Sequence, residues 1–515
     1  MIDIASILNA KEHINMEVKA AGRGIPNSIW ETYSSFANTF GGTIILGMEE
    51  DKTTKEFIPK GIQGPQQMLS DIWNTLNNRQ KINVNILLAH HVYHADYDGM
   101  AFIVMEVPRA DRRDKPVYVG QDMFKGTFRR NHEGDYRCSA EEVKAMLRDQ
   151  ADTTQDALVL ENLLIEDLNQ ESIHRYRILF NNLKPDHIWA KLGDEEFLLK
   201  IGAARKSQND GMIHPTLGGL IFFGDFITIT DELPNYFLDY RERLSGDTRW
   251  SDRVSSGDGT WSGNIFDFYF QVIDRLTADV KKPFQLDANL LRIDDTPVRR
   301  SLRECLANAL IHADFYGRRG IVIDKEFRKI TIANPGTFRI GIDEAIAGGI
   351  SDARNGRIFN MFSLIHVGER SGTGICDVYH VWDENGFKKP SFVETVDPDR
   401  VTLTLQIETE GNPDGNEGNP DGNEGNPDGN EGNPDSNEGN PDGNHGNPDG
   451  NVGNLTQNEM LVLQAISKNP GLSTAKISSQ VGFSKSSAER VLHSLKKKGR
   501  IRREGATRGK WIILK

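Results

Sequence analysis

The stretch RECLANALIHADF, residues 303–315, has the residue spacing of an amphipathic helix that carries polar groups on a second face. Its apolar stripe consists of Leu302, Cys305, Leu306, Ala309 and Leu310. Glu304, Asn308 and His312 follow one another at intervals of four, so a helix of about 3.6 residues per turn places them nearly above one another. The polar line is therefore either a solvated face or a binding site.

Two further motifs follow this predicted helix. GIVIDKEFRKITIANPG, residues 320–336, alternates apolar and polar residues and predicts two paired strands around a turn. GERSGTGI, residues 368–375, has three glycines that permit close approach of backbone amides to an anion. The apolar segment after it predicts a helix whose N-terminus favours phosphate.

A helix with Glu-x-x-x-Asn, a strand ending in NPG and a glycine-rich turn into a helix, in this order, resemble the GHKL ATP-binding fold of histidine kinases and gyrase. The resemblance is to its divergent HATPase_c_4-like branch and covers residues 295–408. It implies ATP and Mg²⁺ as cofactors, with Asn308 as the metal ligand and Glu304 as the catalytic residue that orients or activates water. Gly372 and Gly374 would belong to the phosphate-binding lid.

One motif departs from that family. Where its adenine-recognising motif usually has Asp before a glycine turn, this chain has Asn334, followed by Pro335 and Gly336. Asn accepts a hydrogen bond only through its carbonyl oxygen, so the site binds ATP weakly or binds another ligand. A weak ATPase and a catalytically inactive remnant of the fold both stay open. No GxxxxGK[ST] motif is present, so a helicase-type motor is not supported.

The N-terminal region carries a second set of motifs. These are EHINMEVK at 12–19, FANTFGGTIILGMEED at 36–51, the Lys115-Pro116 pair and the Arg129-Arg130 pair. Together they resemble the AlbA_2 domain of the Schlafen family and are assigned to residues 1–150. The resemblance implies nucleic-acid binding, with Lys19, Arg129 and Arg130 contacting phosphates.

The same resemblance supports an alternative function. Animal Schlafens have a nuclease core whose carboxylates match Glu12, Glu17 and Glu50 here. Three such carboxylates bind divalent metal ions and cleave a phosphodiester, which would make the chain a metal-dependent endoribonuclease acting on tRNA, with a role in phage defence. A purely structural use also stays open, in which Glu17 pairs with Lys19.

The C-terminal tail is strongly basic. From Leu455 to Lys515 it has 13 Lys and Arg against three Glu, a net charge of +10. Three predicted helices with a tight glycine turn, followed by a two-stranded wing, resemble the winged-helix domains of bacterial regulators. The predicted DNA contacts are Lys485, Ser486, Ser487, Arg490, Arg502, Arg503, Arg508 and Lys510. A winged helix that binds protein instead is the alternative.

The sequence thus predicts a multidomain α/β (α+β) protein. Its parts are an AlbA-like domain (1–150), a connector (151–294), a GHKL-like α/β sandwich (295–408), a disordered linker (409–454) and a C-terminal winged helix (455–515). The linker repeats a GNPDGNE unit, which favours turns and has almost no apolar surface. Calcium-binding repeats, the alternative, need an apolar residue in each unit, which this repeat lacks.

Composition narrows the cellular setting. The chain has 515 residues, a net charge of −13 and three widely spaced cysteines, and it has neither a signal-peptide pattern nor a membrane-spanning run. We expect a cytoplasmic, ATP-binding and DNA-binding transcriptional regulator. RNA is the alternative partner, a protein-binding scaffold is a third interpretation, and the symmetry of DNA sites is compatible with a homodimer.

Overall fold

We describe the protein from a computed structural model. The structure describes Ile4, residues 15–407 except 23, 52, 133, 244–249, 279–295 and 369–371, and parts of the tail. The described parts of the tail are 462–463, 465–467, 476–477, 491–492, 495–496, 500–504 and 510–513. The chain divides into two compact units, residues 1–417 and 418–515. The predicted disordered linker lies outside the described residues.

Helical residues are described in the tail at 462–463, 465–467, 476–477, 491–492 and 495–496, but the helices with complete bounds come from the first unit. They are α1 (Ser28–Asn38), α2 (Pro65–Leu76), α3 (Met123–Gly126), α4 (Ala140–Gln150), α5 (Gln170–Leu183), α6 (Asp194–Ile201), α7 (Leu217–Phe223), α8 (Phe226–Glu232), α9 (Ile265–Thr277), α10 (Pro297–His312), α11 (Ile342–Ala347), α12 (Gly356–Leu364) and α13 (Gly374–Glu384). Short 3₁₀ turns lie at Ala89–His91, Gln155–Ala157, Ile165–Asp167 and Ile188–Lys191.

The strands occur in both units. They are β1 (Met16–Lys19), β2 (Gly42–Leu46), β3 (Met48–Glu50), β4 (Phe57–Pro59), β5 (Val92–Tyr97), β6 (Met100–Val107), β7 (Phe128–Asn131), β8 (Gly134–Arg137), β9 (Ala204–Lys206), β10 (Ile213–Pro215), β11 (Leu238–Arg243), β12 (Asp252–Ser255), β13 (Ile321–Glu326), β14 (Lys329–Pro335), β15 (Ser391–Thr395), β16 (Arg400–Gln406), β17 (Ile501–Glu504) and β18 (Lys510–Ile513).

The N-terminal domain is built on a four-stranded sheet of order β1-β2-β6-β5. Its first two strands are parallel and the other pairs are antiparallel. Ile44 and Leu46 belong to one hydrophobic cluster while Ile45, between them, belongs to another, so both faces of the sheet are covered. The chain runs from α1, which ends at Asn38, through Gly41 into β2.

A second, six-stranded sheet has the strand order β12-β11-β13-β14-β16-β15. The predicted hairpin of 320–336 is confirmed as β13 and β14, and β11 joins β13 in parallel. β11 and β12 come from the segment predicted as a connector. The segments on either side of residue 294 therefore share one sheet.

Alternating burial explains how helices cover this sheet. Val401, Leu403 and Leu405 of β16 are buried while the residues between them are only partly covered. α10 packs against α9, α13 and β14. This arrangement is the predicted α/β sandwich, and it places the polar line of α10 beside β14, the strand that contains Asn334.

The connector segment contributes an aromatic core. Tyr176 packs with its ring edge against Phe222 and Phe223, and its hydroxyl donates to the Met361 carbonyl at 2.7 Å. His214 is 2% exposed, with its ring nitrogens 2.7 Å from the Leu163 carbonyl oxygen and 2.8 Å from an Asp210 carboxylate oxygen. His214 therefore holds local structure together.

The described part of the tail contains the predicted wing. β17 and β18 pair antiparallel, with Arg502 opposite Ile512. Trp511 and Ile501 join a small hydrophobic cluster with residues from the three predicted helical segments. Those residues are Val462, Ala465, Ile466, Ile477, Leu492 and Leu495.

Candidate functional site

The helix quoted at the start, α10, places its polar line in a cavity. Thr296 caps its first turn, because the side-chain oxygen accepts from the Arg299 amide at 3.3 Å. Glu304, Asn308 and His312 all line a cavity of about 1150 Å³, part of which is open to solvent. Asn308 Nδ2 donates to Glu304 Oε1 at 3.2 Å, so the amide and the carboxylate are held as a pair.

The glycine-rich turn lies against this pair. Gly374 begins α13, and a side chain there would collide with the Glu304 carboxylate, so the helix start and the carboxylate are in close contact. Gly372 has φ +69, and a Cβ on it would lie 2.9 Å from the Ile350 backbone. The Gly349 amide donates to the Gly372 carbonyl at 3.0 Å. Glycine is thus required at 372 by both conformation and space.

The NPG motif is divided between two cavities. Asn334 lies near the end of β14 and lines the large cavity. Gly336 has φ +100 and lines a smaller neighbouring cavity instead, with the Arg354 guanidinium 2.6 Å from where a Cβ would be. The family resemblance would make Gly336, together with Asn334, a cofactor-binding residue. For Gly336 this prediction does not agree with the geometry, because Arg354 fills the space on that side.

Three charged residues of the cavity wall were missed from the sequence. Arg339, Asp352 and Arg354 lie in loops, where no periodicity indicates which way a side chain points. Arg354 is 8% exposed and donates to the His312 carbonyl oxygen at 2.6 Å. The sequence signal available was only a run of polar residues, SDARN at 351–355.

His312 is electrically neutral in this setting. Burial, together with the positive charges of Arg354 and Arg339, lowers its pKa to about 4. At neutral pH it therefore contributes no positive charge to the cavity. His312 is therefore suited to packing at the end of the polar line and not to binding an anion by charge.

The remaining walls of the cavity are largely apolar. They include Ile332, Ile340, Ile350, Ile375, Val378, Phe392, Val401 and Leu403. A cavity with apolar walls and a few convergent polar groups is the usual form of a small-molecule site.

The predicted phosphate contacts of the N-terminal domain are instead ion pairs. Arg129, 6% exposed, binds both oxygens of Asp399 at 2.5 and 3.0 Å. Arg130, 1% exposed, lies 3.0 Å from each of the carboxylates of Glu17 and Asp135. Because both guanidinium groups are buried and paired, the prediction that they meet phosphates does not agree with this structure.

The carboxylates proposed for a nuclease are also paired. Glu17 is 7% exposed and lies 2.5 Å from the Lys19 ammonium as well as beside Arg130. Glu50 pairs with Lys55 at 3.1 Å, and Glu12 lies outside the described residues. In the described part of the chain, no three His, Cys, Asp or Glu side chains form a group that could hold a metal ion.

Most predicted DNA contacts of the tail fall where little is described. Lys485, Ser486, Ser487, Arg490 and Arg508 lie outside the described residues. Arg502 and Lys510 lie on the wing strands and are exposed, and Arg503 is on β17 between them in sequence. The wing thus presents at least two cationic side chains to solvent.

Family models match four consecutive segments of the chain. "Schlafen, AlbA_2" matches residues 8–139, "Domain of unknown function (DUF8451)" matches 144–239, and "MarR family" matches 454–510. HATPase_c_4, described as "Putative ATP-dependent DNA helicase recG C-terminal", matches 323–405. The class this defines is a multidomain protein that joins an ATPase-type domain to domains of nucleic-acid-binding types. In particular, the chain combines a Schlafen AlbA_2 domain, an HATPase_c_4 domain and a MarR-type winged helix.

Two solved structures are similar to this chain. The DIP2311 protein from Corynebacterium diphtheriae is 16% identical over 97% of this chain and 92% of its own length, with a TM-score of 0.39. The N-terminal domain of a RecG-related protein from Nitrosomonas europaea is 26% identical over 26% of this chain and 89% of its own, with a TM-score of 0.21. At these TM-scores neither likeness bears on function.

No curated protein matches this sequence. Among the helices that the structure describes, none has the length and apolar content needed to span a bilayer.

Proposed function

We propose that this protein is a DNA-binding transcriptional regulator that binds ATP with Mg²⁺ in the cavity beside α10. The observation that carries the proposal is that one cavity gathers Glu304, Asn308, Asn334 and the glycines 372 and 374, which are distant in sequence. The match of residues 323–405 to the HATPase_c_4 model supports it.

The residues present fit such a ligand. Asn308 offers a carboxamide oxygen to Mg²⁺, which accepts few protein ligands and takes the rest of its shell from phosphates and water. Gly372 and Gly374, at the start of α13, line the same cavity and would lie beside the phosphates. Asn334 and the apolar walls would receive the base. When bound, Mg-ATP would supply a charged group to which the loops around the cavity can close.

Hydrolysis is a separate question within the proposal. Glu304 is placed to orient a water molecule, but its carboxylate already accepts from Asn308 and packs against Gly374. We propose that this carboxylate mainly fixes the Asn308 amide and the start of α13. Slow turnover, or none, follows from that role.

The DNA-binding function is assigned to the tail. Its match to the MarR family, its net charge of +10 and the exposed wing residues Arg502 and Lys510 support contact with phosphates. Bound nucleotide changes the affinity for DNA, which is what makes the chain a regulator in this proposal.

The nucleotide site is tested by calorimetric titration of the full chain with Mg-ATP. Asn308→Ala should abolish saturable binding, because it removes the metal ligand, while the helix remains stable because Ala favours helices. Asn182→Ala, on α5 and away from the cavity, is the matched control and should bind as the native chain does. Equal binding by all three proteins would refute the site.

A further inference from the structure

A short loop connects the large cavity to its surroundings. We call residues 350–355 the bridge segment. The Ile350 backbone lies against Gly372, and Asp352 and Arg354 line the cavity. Asn355 Nδ2 donates to the carbonyl oxygens of Ile311 and Ala313, at 2.9 and 2.7 Å, at the end of α10. The bridge segment therefore touches both elements that form the polar side of the cavity.

The other side of the bridge segment is held by the N-terminal domain. Arg112 Nε donates to Asp352 Oδ2 at 2.5 Å, and its Nη1 donates to the Asp149 carbonyl oxygen at 2.7 Å. The Asp149 carboxylate accepts from Arg354 at 2.9 and 2.8 Å. Arg112 lines the smaller cavity and not the large one, so it reaches the large cavity only through other residues.

Asp352 is shared between two arginines. Arg339, whose side chain is 6% exposed, lies 3.6 Å from the second carboxylate oxygen of Asp352 and also lines the large cavity. Among the described residues, the Arg339 Nε is buried without a hydrogen-bond partner, while Nη1 donates to the Ala353 carbonyl oxygen at 2.9 Å. A buried donor left unsatisfied is costly, so the position of this guanidinium is sensitive to the groups around it.

We propose that Arg112 is a positioning residue for the ligand of the large cavity. Arg112 fixes the Asp352 carboxylate. The position of that carboxylate determines how strongly it neutralises the charge of Arg339, and the position of the bridge segment determines where Gly372 lies. The N-terminal domain thereby completes the nucleotide site without touching the nucleotide. The inference rests on the proposed function, since it requires that the cavity take Mg-ATP.

The removal of Arg112 has a defined physical consequence. Without it, the half-buried Asp352 keeps only Arg339 as its cationic neighbour and is free to turn towards it, into the wall that faces the ligand. A carboxylate moved in this way repels phosphates and withdraws Arg339 from them. Ligand affinity should fall although no ligand contact has been deleted.

The test is Mg-ATP titration of the full-length native chain, Arg112→Ala and Arg318→Ala. Arg318, which follows α10, also pairs with a residue of the N-terminal domain, Glu141. Its side chain is 63% exposed and does not line the cavity, so Arg318→Ala is the matched control. We expect roughly tenfold weaker binding for Arg112→Ala, within the range of ordinary coupling between sites, and no change for Arg318→Ala. Native affinity in Arg112→Ala would overturn the inference.

A double-mutant cycle separates positioning from general loosening of the fold. If Arg112 acts through Asp352, Arg112→Ala should weaken binding no further in an Asp352→Ala background. Additive losses would overturn the inference. If Arg112→Ala does not fold, Arg112→Lys decides, since Lys cannot bond both Asp352 and the Asp149 carbonyl oxygen; affinity equal to the native chain would then count against the inference. Absence of binding by the native chain would instead refute the nucleotide site itself.

Discussion

The N-terminal domain and the C-terminal tail both carry basic residues that the sequence predicts to contact nucleic acid, but their surroundings differ. Arg129 and Arg130 are buried against the carboxylates of Asp399, Glu17 and Asp135. Arg502 and Lys510 of the tail are exposed on the wing. The same residue types are therefore buried in ion pairs in one region and exposed to solvent in the other.

The supply of carboxylates explains this difference. The tail has only three Glu for 13 basic residues, so most of its positive charge has no carboxylate partner available within the tail. In the first unit each of the arginines predicted to bind nucleic acid has at least one carboxylate within 3.0 Å. A basic motif indicates phosphate contact only where no carboxylate brought close by the fold neutralises it.

The largest expected effect is on stability. Arg130→Ala would leave Glu17 and Asp135 without their buried partner, and breaking a buried pair in this way costs about 3–5 kcal/mol. Urea unfolding should show this loss, whereas DNA affinity measured where the variant is still folded should stay unchanged. A variant that is as stable as the native chain but binds DNA more weakly would instead make Arg130 a DNA contact.

The next effect concerns the tail as a whole. A chain ending at residue 454 should lose DNA affinity by at least about 100-fold, because the main source of phosphate contacts is removed. The slope of log affinity against log salt concentration should become much shallower. Fluorescence anisotropy with a duplex at several salt concentrations measures both, and an unchanged slope would assign DNA binding to the first unit.

A smaller effect depends on pH. Burial, with Arg109 and Arg129 nearby, lowers the pKa of Lys115 to about 7, against about 10.4 in an unfolded chain. Between these values the unfolded state binds more protons, so this group makes stability rise with pH from about 7 to 10, by up to about 1.4 kcal/mol per pH unit. Lys115→Met should flatten that rise. A parallel pH profile in the two proteins would show that Lys115 titrates as in water.

The smallest effect is a single wing contact. Arg502→Ala should weaken DNA binding roughly threefold on all sequences and lower the salt slope by about one, as expected for one lost phosphate contact. Arg318→Ala, an exposed arginine of the first unit, is the control and should change neither quantity. If Arg502→Ala lost binding to one DNA sequence only, Arg502 would instead contact a base of that sequence.

Periodicity predicted the elements that present the site. The spacing in 303–315 predicted α10, and alternation predicted the hairpin of β13 and β14. Each of these signals acts between residues a few positions apart. Local sequence therefore sufficed to place Glu304, Asn308 and Asn334 on elements that meet.

The remaining features depend on distant contacts. Asp399 lies 270 positions from Arg129, and Asp352 lies 240 positions from Arg112. Nothing local marks such partners, so a buried arginine and a phosphate-binding arginine look alike in sequence. For the same reason the pairing of β11 with β13 across residue 294 could not be anticipated.

Regulation of DNA binding by a nucleotide is tested most directly by measuring the DNA affinity of the full chain with and without Mg-ATP at matched salt concentration. The Asn308→Ala variant is measured in the same way. We expect Mg-ATP to change the DNA affinity of the native chain and to leave the DNA affinity of the variant unchanged, while both proteins bind DNA without nucleotide. Identical binding curves with and without Mg-ATP in the native chain would contradict the claim that a nucleotide regulates its binding to DNA.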